Sequence, residues 1–266
     1  MIKDLILNRR SVRTFKDITI DDFTYNELIN SVDNANKIFD CVNFKVFDAK
    51  KYNLKSNVTS DESLYIIGRV KKEKDYEIKF GYALEYLMLE ITRLNLSSVF
   101  MAGTIDRAIF DDLYNFGDLM PGVLAVGVKS LFESKTERVL KRFLKADKKI
   151  ELNKMCLGSN LCVYEFKNEK FKELFDIARY YPSAKNLAPV RVVIVGNNIH
   201  LFLSRHDGLI NKLGDVQLID LGIYIYNLTS LLKENRIDYD IKTMNVSNID
   251  NLSYIKTITL KNSSEI

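Results

Sequence analysis

An α+β fold built from two tandem halves is the architecture that this 266-residue sequence predicts. Two helical stretches carry the expectation, Gly81 to Leu96 and Leu218 to Leu232, each apolar around most of its circumference and so suited to burial on most sides. Gly81 and Gly222, near the starts of these stretches, stand 141 positions apart, and both stretches give way to strand-like segments. The expected division is 1–150 and 151–266, packed as one globular unit in which a single chain does what a symmetric homodimer does elsewhere.

Taken in order, Leu5, Ile6 and Leu7 mark a short helix over Lys3 to Asn8 that runs into a cluster of arginines. Asp21 and Asp22 can cap a second helix with Phe23, Leu28, Ile29 and Val32 on one face, ending near Asn34 to Asn36. Alternation predicts strands at Asn43 to Asp48 and Ser63 to Val70, then a charged loop over 71–79 before the first buried helix. Ser97 to Gly103 is short, small and apolar, Asp106 to Tyr114 reads as a helix, and Val123 to Val128 reads as a buried strand. Residues 129–149 form a basic connecting arm with a helical part. Asn168 to Tyr180 is an amphipathic helix, followed by a turn at Tyr181 to Pro189 and strands at Arg191 to Val195 and Ile199 to Leu203. After the second buried helix comes an alternating strand at Tyr254 to Leu260, and a tail from Lys261 that is expected to fray.

The composition narrows the function classes. Lysine and arginine number 39 against 35 acids, and a net charge of +4 is too small for this length to point to nucleic acid. Three cysteines without a CxxC pair or a Cys/His cluster offer neither a disulfide framework nor metal spacing, and read as reduced thiols of a cytoplasmic protein. No apolar run approaches the roughly 18 residues of a membrane span, and no signal-peptide core follows Lys3 and Asp4. The two histidines, His200 and His206, lie in no triad or metal spacing, so neither a metal site nor a catalytic side chain is assigned.

Three segments can carry chemistry. Arg9, Arg10 and Arg13 surround Ser11 within NRRSVRTF, and planar guanidinium forks suit a phosphate, although arginines beside a helix end also serve as solvated surface. Pro182-Ser183-Ala184-Lys185-Asn186 presents a hydroxyl, an ammonium and an amide from one turn, suitable for the edge of a heteroaromatic ring and equally readable as an ordinary polar turn. The small residues up to Gly103 let a flat ligand approach the main chain.

Together, and in this order, the arginine cluster, the Leu96-Ser97-Ser98 and Ala102-Gly103 segment, the strand over Val123 to Val128 and the Pro182 to Asn186 turn resemble the FMN-dependent nitroreductase family. The chain is most similar to its duplicated, single-chain branch, a nitroreductase-like fold forming an intramolecular pseudo-dimer around a flavin site. The resemblance implies that Arg9 and Arg13 hold the FMN phosphate and that Arg10 and Ser11 contact the phosphate or the pyrimidine side. It places Phe100, Met101, Ala102 and Gly103 along the isoalloxazine, brings Pro182, Ser183, Lys185 and Asn186 from the second half, and adds Arg138 as a further phosphate ligand. The chain departs from the family where N-x-Q-P-W is common, having Asn186-Leu187-Ala188-Pro189-Val190, and where an acid is common, having Ala102. The symmetry-related copies of the motifs are blank, which implies one flavin per chain.

The implied activity is that of an oxidoreductase passing a hydride from NADH or NADPH through flavin N5 to a nitroaromatic, a quinone or a similar small-molecule electron acceptor. Lys185 would stabilise negative charge on the reduced flavin. No nucleic-acid or membrane partner is implied, and the pseudo-dimer makes the chain a monomer. The alternative is a flavin-binding or degenerate relative whose role is binding or regulation.

Overall fold

The computed structural model describes residues 1–211 and 214–261, so the tail beyond 261 lies outside the described residues. The chain opens with α1 (Ile2–Asn8), α2 (Asp22–Asn36), β1 (Val42–Asp48), β2 (Leu64–Val70), α3 (Tyr76–Arg93), β3 (Ser97–Met101), α4 (Arg107–Leu113) and β4 (Leu119–Gly127). These four strands form an antiparallel sheet in the order β1-β2-β4-β3. The basic arm contains α5 (Lys135–Phe143), and α6 (Leu152–Met155), β5 (Cys156–Leu157) and α7 (Glu169–Ala178) follow. Then come β6 (Val190–Val195), β7 (Asn198–Ser204), the short pair β8 (Ile210–Asn211) and β9 (Gly214–Asp215), α8 (Val216–Glu234), β10 (Tyr239–Lys242) and β11 (Leu252–Leu260).

The second sheet runs β10-β11-β7-β6-β5. Read from β6, the order β6-β7-β11-β10 repeats β1-β2-β4-β3, with a helix before the first strand and a long buried helix between the second and third strands of each set. Only β5, parallel to β6, has no counterpart in the first sheet. The expected duplication is therefore present in the topology.

The halves meet where α3 crosses α8. A Cβ at Gly81 would stand 2.0 Å from the Ile219 carbonyl oxygen, and one at Gly222 would stand 2.1 Å from that of Ile78. Ile78 and Ile219 are 141 positions apart, as are the two glycines, so the contact is reciprocal about a pseudo-two-fold. Bare backbones approach because neither helix has a side chain at the crossing. Tyr82 and Tyr226 close one flank with an edge-to-face contact at 4.9 Å.

Alternation explains why β2 is buried on both faces. Leu64, Ile66 and Val70 pack in the large core with α3, whereas Tyr65 and Ile67 pack in a smaller one with Phe15, Phe47, Val99 and Phe110. At α2 the Asp21 carboxylate caps the helix by accepting from Thr24 N at 2.9 Å. Asp21→Ala is expected to lower the urea midpoint without changing the slope.

Several boundaries differ from expectation. α3 begins at Tyr76 rather than Gly81, shortening the charged loop to 71–75, and β4 begins at Leu119 rather than Val123. Phe23 is exposed, because the buried stripe of α2 is Leu28, Ser31, Val32 and Ala35. The edge strand β10 escaped the sequence reading because it is only four residues long and three of the four are exposed. Cys41, Cys156 and Cys162 are free thiols.

Candidate functional site

The arginine segment leaves α1 in an extended conformation and is laced onto the edge of the first sheet. Val12 N donates to Ser98 O at 3.1 Å, Phe15 N to Ser60 O at 3.0 Å and Lys16 N to Val128 O at 2.8 Å. Val12 and Phe15 are both buried in the smaller core, while Ser11 is half-buried and bridges to Ser98.

Arg9 is buried, and its Nε has no hydrogen-bond partner. It faces Glu85 of α3, whose carboxyl is pushed up to about 7 by burial against the opposing pull of Arg9, the Asn227 amide and Lys149. Lys149, at the end of the basic arm, is pushed down to about 8 by burial and by its neighbours Arg9 and Arg10. Asn227 of α8 stands beside Glu85, yet neither its amide atoms nor the carboxylate oxygens reach hydrogen-bonding geometry. Arg179 also bears on Lys149, but its own guanidinium is committed to Asp176 at 2.6 Å and to Ile150 O at 3.0 Å. Arg9 and Lys149 thus both bear on one buried carboxyl of raised pKa, and Arg10, exposed, stands beside Lys149. An added dianion answers that imbalance and gives Arg9 Nε an acceptor, so the residues fit a phosphate group.

Each titration has a consequence for the protein without ligand. Glu85 binds its proton more tightly folded than unfolded, so its contribution is present below about 4.5 and is lost as pH rises to about 7. Lys149 binds its proton less tightly when folded, so its contribution is present above 10.5 and is lost as pH falls to about 8. Urea unfolding at stepped pH should show stability falling across the acid window by on the order of 3 kcal/mol, and Glu85→Gln should flatten that slope.

The turn at 182–189 reaches the same arm from the second half. Ala184 N donates to both oxygens of Asp220 at 3.1 Å, and Ser183 Oγ accepts from Ala188 N at 2.9 Å. Burial holds the Asp220 carboxyl well above the usual range, against the pull of the Ala184 N–H. Asn186 Nδ2 donates to the carbonyls of Leu144, Lys145 and Lys148, at 3.3, 2.9 and 3.0 Å, which lie past the end of α5. Lys185, Asn186 and Ala188 take left-handed conformations with φ of 52°, 57° and 46°. The strained turn is therefore a clasp that fixes the arm, and with it Lys149.

The structure brings together Arg9, Arg10, the arm and the Pro182 to Asn186 turn. It places Arg13 in a different neighbourhood, beside Glu137 of α5, where burial depresses the guanidinium and Glu137 counters. Burial works to raise Glu137, but the Thr14 hydroxyl, Lys141 and the Arg13 backbone bring its carboxyl below the usual range. Arg138 is exposed on α5, and Lys185 is exposed on the turn. Phe100 lies 6.0 Å from Phe80, while Met101 is buried with its Sδ accepting from Ser56 Oγ. Ala102 O accepts from Arg107, and Gly103 is open, with nothing within 4 Å of a Cβ built there.

Sequence reasoning missed Lys149, Glu85, Asn227 and Asp220. The last three had a signal, a polar side chain on the buried span of a largely apolar helix. Lys149 had none, being one lysine in a basic run. Among the described residues no cluster of His, Cys, Asp or Glu has metal-site geometry, and no helix is long and apolar enough to cross a membrane.

Several solved structures are similar to this chain. The crystal structure titled as a "putative nitroreductase" from Thermotoga maritima is similar over 97% of this chain and 92% of that one, at 15% identity and a TM-score of 0.59. A nitroreductase family protein of Clostridium difficile matches 53% of this chain and 91% of its own, at 18% identity and a TM-score of 0.40. A nitroreductase with bound FMN from Bacteroides fragilis matches 50% of this chain and 92% of its own, at 18% identity and a TM-score of 0.40. A search of curated proteins gives no significant match. A family model described as "Putative TM nitroreductase" matches residues 1–230, most of the chain, and the protein belongs to that nitroreductase family.

Proposed function

We propose that the protein is an FMN-binding oxidoreductase, drawing electrons from NADH or NADPH and delivering them to a nitroaromatic, a quinone or a similar flat acceptor. One observation carries the proposal: Arg9, with a buried and unpartnered Nε, and Lys149 both bear on a single buried carboxyl of raised pKa, with Arg10 beside them. FMN, when bound, supplies the hydride chemistry. Arg9 and Lys149 would hold its phosphate, with Arg10 and Ser11 at the rim. Asn186 and Ser183 would act chiefly by fixing the arm, since their polar groups engage protein backbone. Phe100 and Gly103 offer an apolar edge and an open backbone for the ring system, and Met101 and Ala102 would serve through the main chain. Arg13, near Glu137, would lie toward the pyrimidine side, and Arg138 would be an outer phosphate contact. The functional protein would be a cytoplasmic monomer.

The absorbance spectrum of the purified protein tests this directly. Flavin bands equivalent to one FMN per chain, bleached by NADH or NADPH, are the expected result. The binding or regulatory alternative draws support from Asn186, whose amide is already spent on the arm. A colourless protein that refuses added FMN would select it. In the flavin-loaded protein, Lys185→Met is expected to lower the reduction potential, and an unchanged value would separate Lys185 from the ring.

A further inference from the structure

α5 is turned inside out. Its charged Glu137 is only 1% exposed and pairs with Lys141 at 3.2 Å, whereas Val139 and Phe143, four residues apart on one face, are 67% and 80% exposed. Leu131 and Phe132, just before the Ser134 cap, are 84% and 83% exposed. Four bulky apolar side chains therefore project into water from one short arm, although the helix had a charged face available to turn outward.

The charges around them are of one sign. Residues 129–149 hold eight lysines and arginines against three acids, more than the whole chain's net charge of +4. Lys135, Arg142 and Lys145 are exposed beside the apolar face. Of the three acids, Glu133 and Glu137 are drawn onto Lys141, and only Asp147, past the helix, is exposed. Projecting aromatic and aliphatic side chains within a basic surround are what an anionic lipid surface accepts: the apolar tips enter the acyl boundary and the cations meet the headgroups. From this we infer that the outer face of α5, with Leu131 and Phe132, docks the protein reversibly on anionic bilayers. The excess of cations around the apolar tips favours an anionic bilayer over a protein partner. The inference stands apart from the flavin reading, since it uses only the side of α5 opposite Glu137.

Co-sedimentation of the full chain with vesicles tests it. The protein should pellet with equal parts phosphatidylglycerol and phosphatidylcholine, stay in solution with phosphatidylcholine alone, and be released as salt rises. Phe132→Glu with Phe143→Glu should weaken the partition by at least about tenfold, and Lys135→Glu with Arg142→Glu should do so mainly at low salt. All four side chains are exposed, so both variants are expected to fold, and circular dichroism checks that they do. A wild-type protein that ignores anionic vesicles, or a phenylalanine variant that pellets as well as wild type, overturns the inference. A concentration-dependent dimer abolished by the phenylalanine variant would assign the face to a second copy, and would overturn it equally.

Discussion

Alanine at Gly222 is expected to remove about 3–5 kcal/mol of stability, enough to leave much of the protein unfolded at 37 °C. The added methyl would meet the Ile78 carbonyl oxygen at 2.1 Å and the Tyr82 nitrogen at 2.9 Å, both backbone atoms of a helix held in the core. No rotamer change relieves such a contact, so the helices must part along their whole crossing. Intrinsic helix propensity runs the other way, favouring alanine by about 1 kcal/mol, so a net loss is attributable to the crossing itself. Gly81→Ala, which meets the Ile219 carbonyl oxygen at 2.0 Å, should cost a similar amount. Gly103→Ala is the control, with open space around it and an expected change within about 0.5 kcal/mol. Urea midpoints measure all three, and unaltered midpoints for Gly81 and Gly222 would mean that the crossing is looser than its backbone distances imply.

Replacing Arg9 with alanine should lower FMN affinity by roughly a hundredfold. The loss corresponds to about 3 kcal/mol, the upper range for hydrogen bonds to a charged group. Arg9 is the guanidinium whose buried Nε has no partner, and its loss also returns Glu85 toward the fully neutral acid and relieves Lys149 of a repelling neighbour. Calorimetric titration with FMN measures the loss, and inorganic phosphate as a competitor reports whether it falls on the phosphate. Arg138→Ala, at an exposed position, should change affinity by no more than about twofold. An Arg138 effect larger than that of Arg9 would move the phosphate to the outer face of the arm.

The parts of the fold visible in the sequence were those written in apolar periodicity. The two buried helices and their offset of 141 announced the duplication because burial on all sides suppresses polar residues, and Gly81 and Gly222 fall at the crossing itself. The N-cap at Asp21 was visible for a local reason, a carboxylate reaching Thr24 N three residues on. β10 was hidden because its alternation, Tyr239-Asp240-Ile241-Lys242, spans only four residues, too few to stand out from the polar stretch around it. At the candidate site the sequence showed Arg9 but not its surroundings. Lys149 comes to Arg9 only because Asn186 holds the carbonyls at the end of α5 and Arg179 holds Ile150 O, contacts spanning between about 30 and 40 residues that no local pattern encodes. The polar residues of the 182–189 turn were legible as special, while their work as a clasp on the arm depended on the tertiary structure.

The reciprocal notch between α3 and α8 has a consequence for how the molecule can vary. In a symmetric homodimer every substitution enters such a crossing twice, and dilution can pull the two halves apart. Here the partners are tethered in one chain, so their encounter does not weaken at low concentration. A change at Gly81 leaves Gly222 untouched. One half can therefore keep its arginine segment while the other keeps its clasp, and neither needs to preserve the duplicate that symmetry would otherwise enforce.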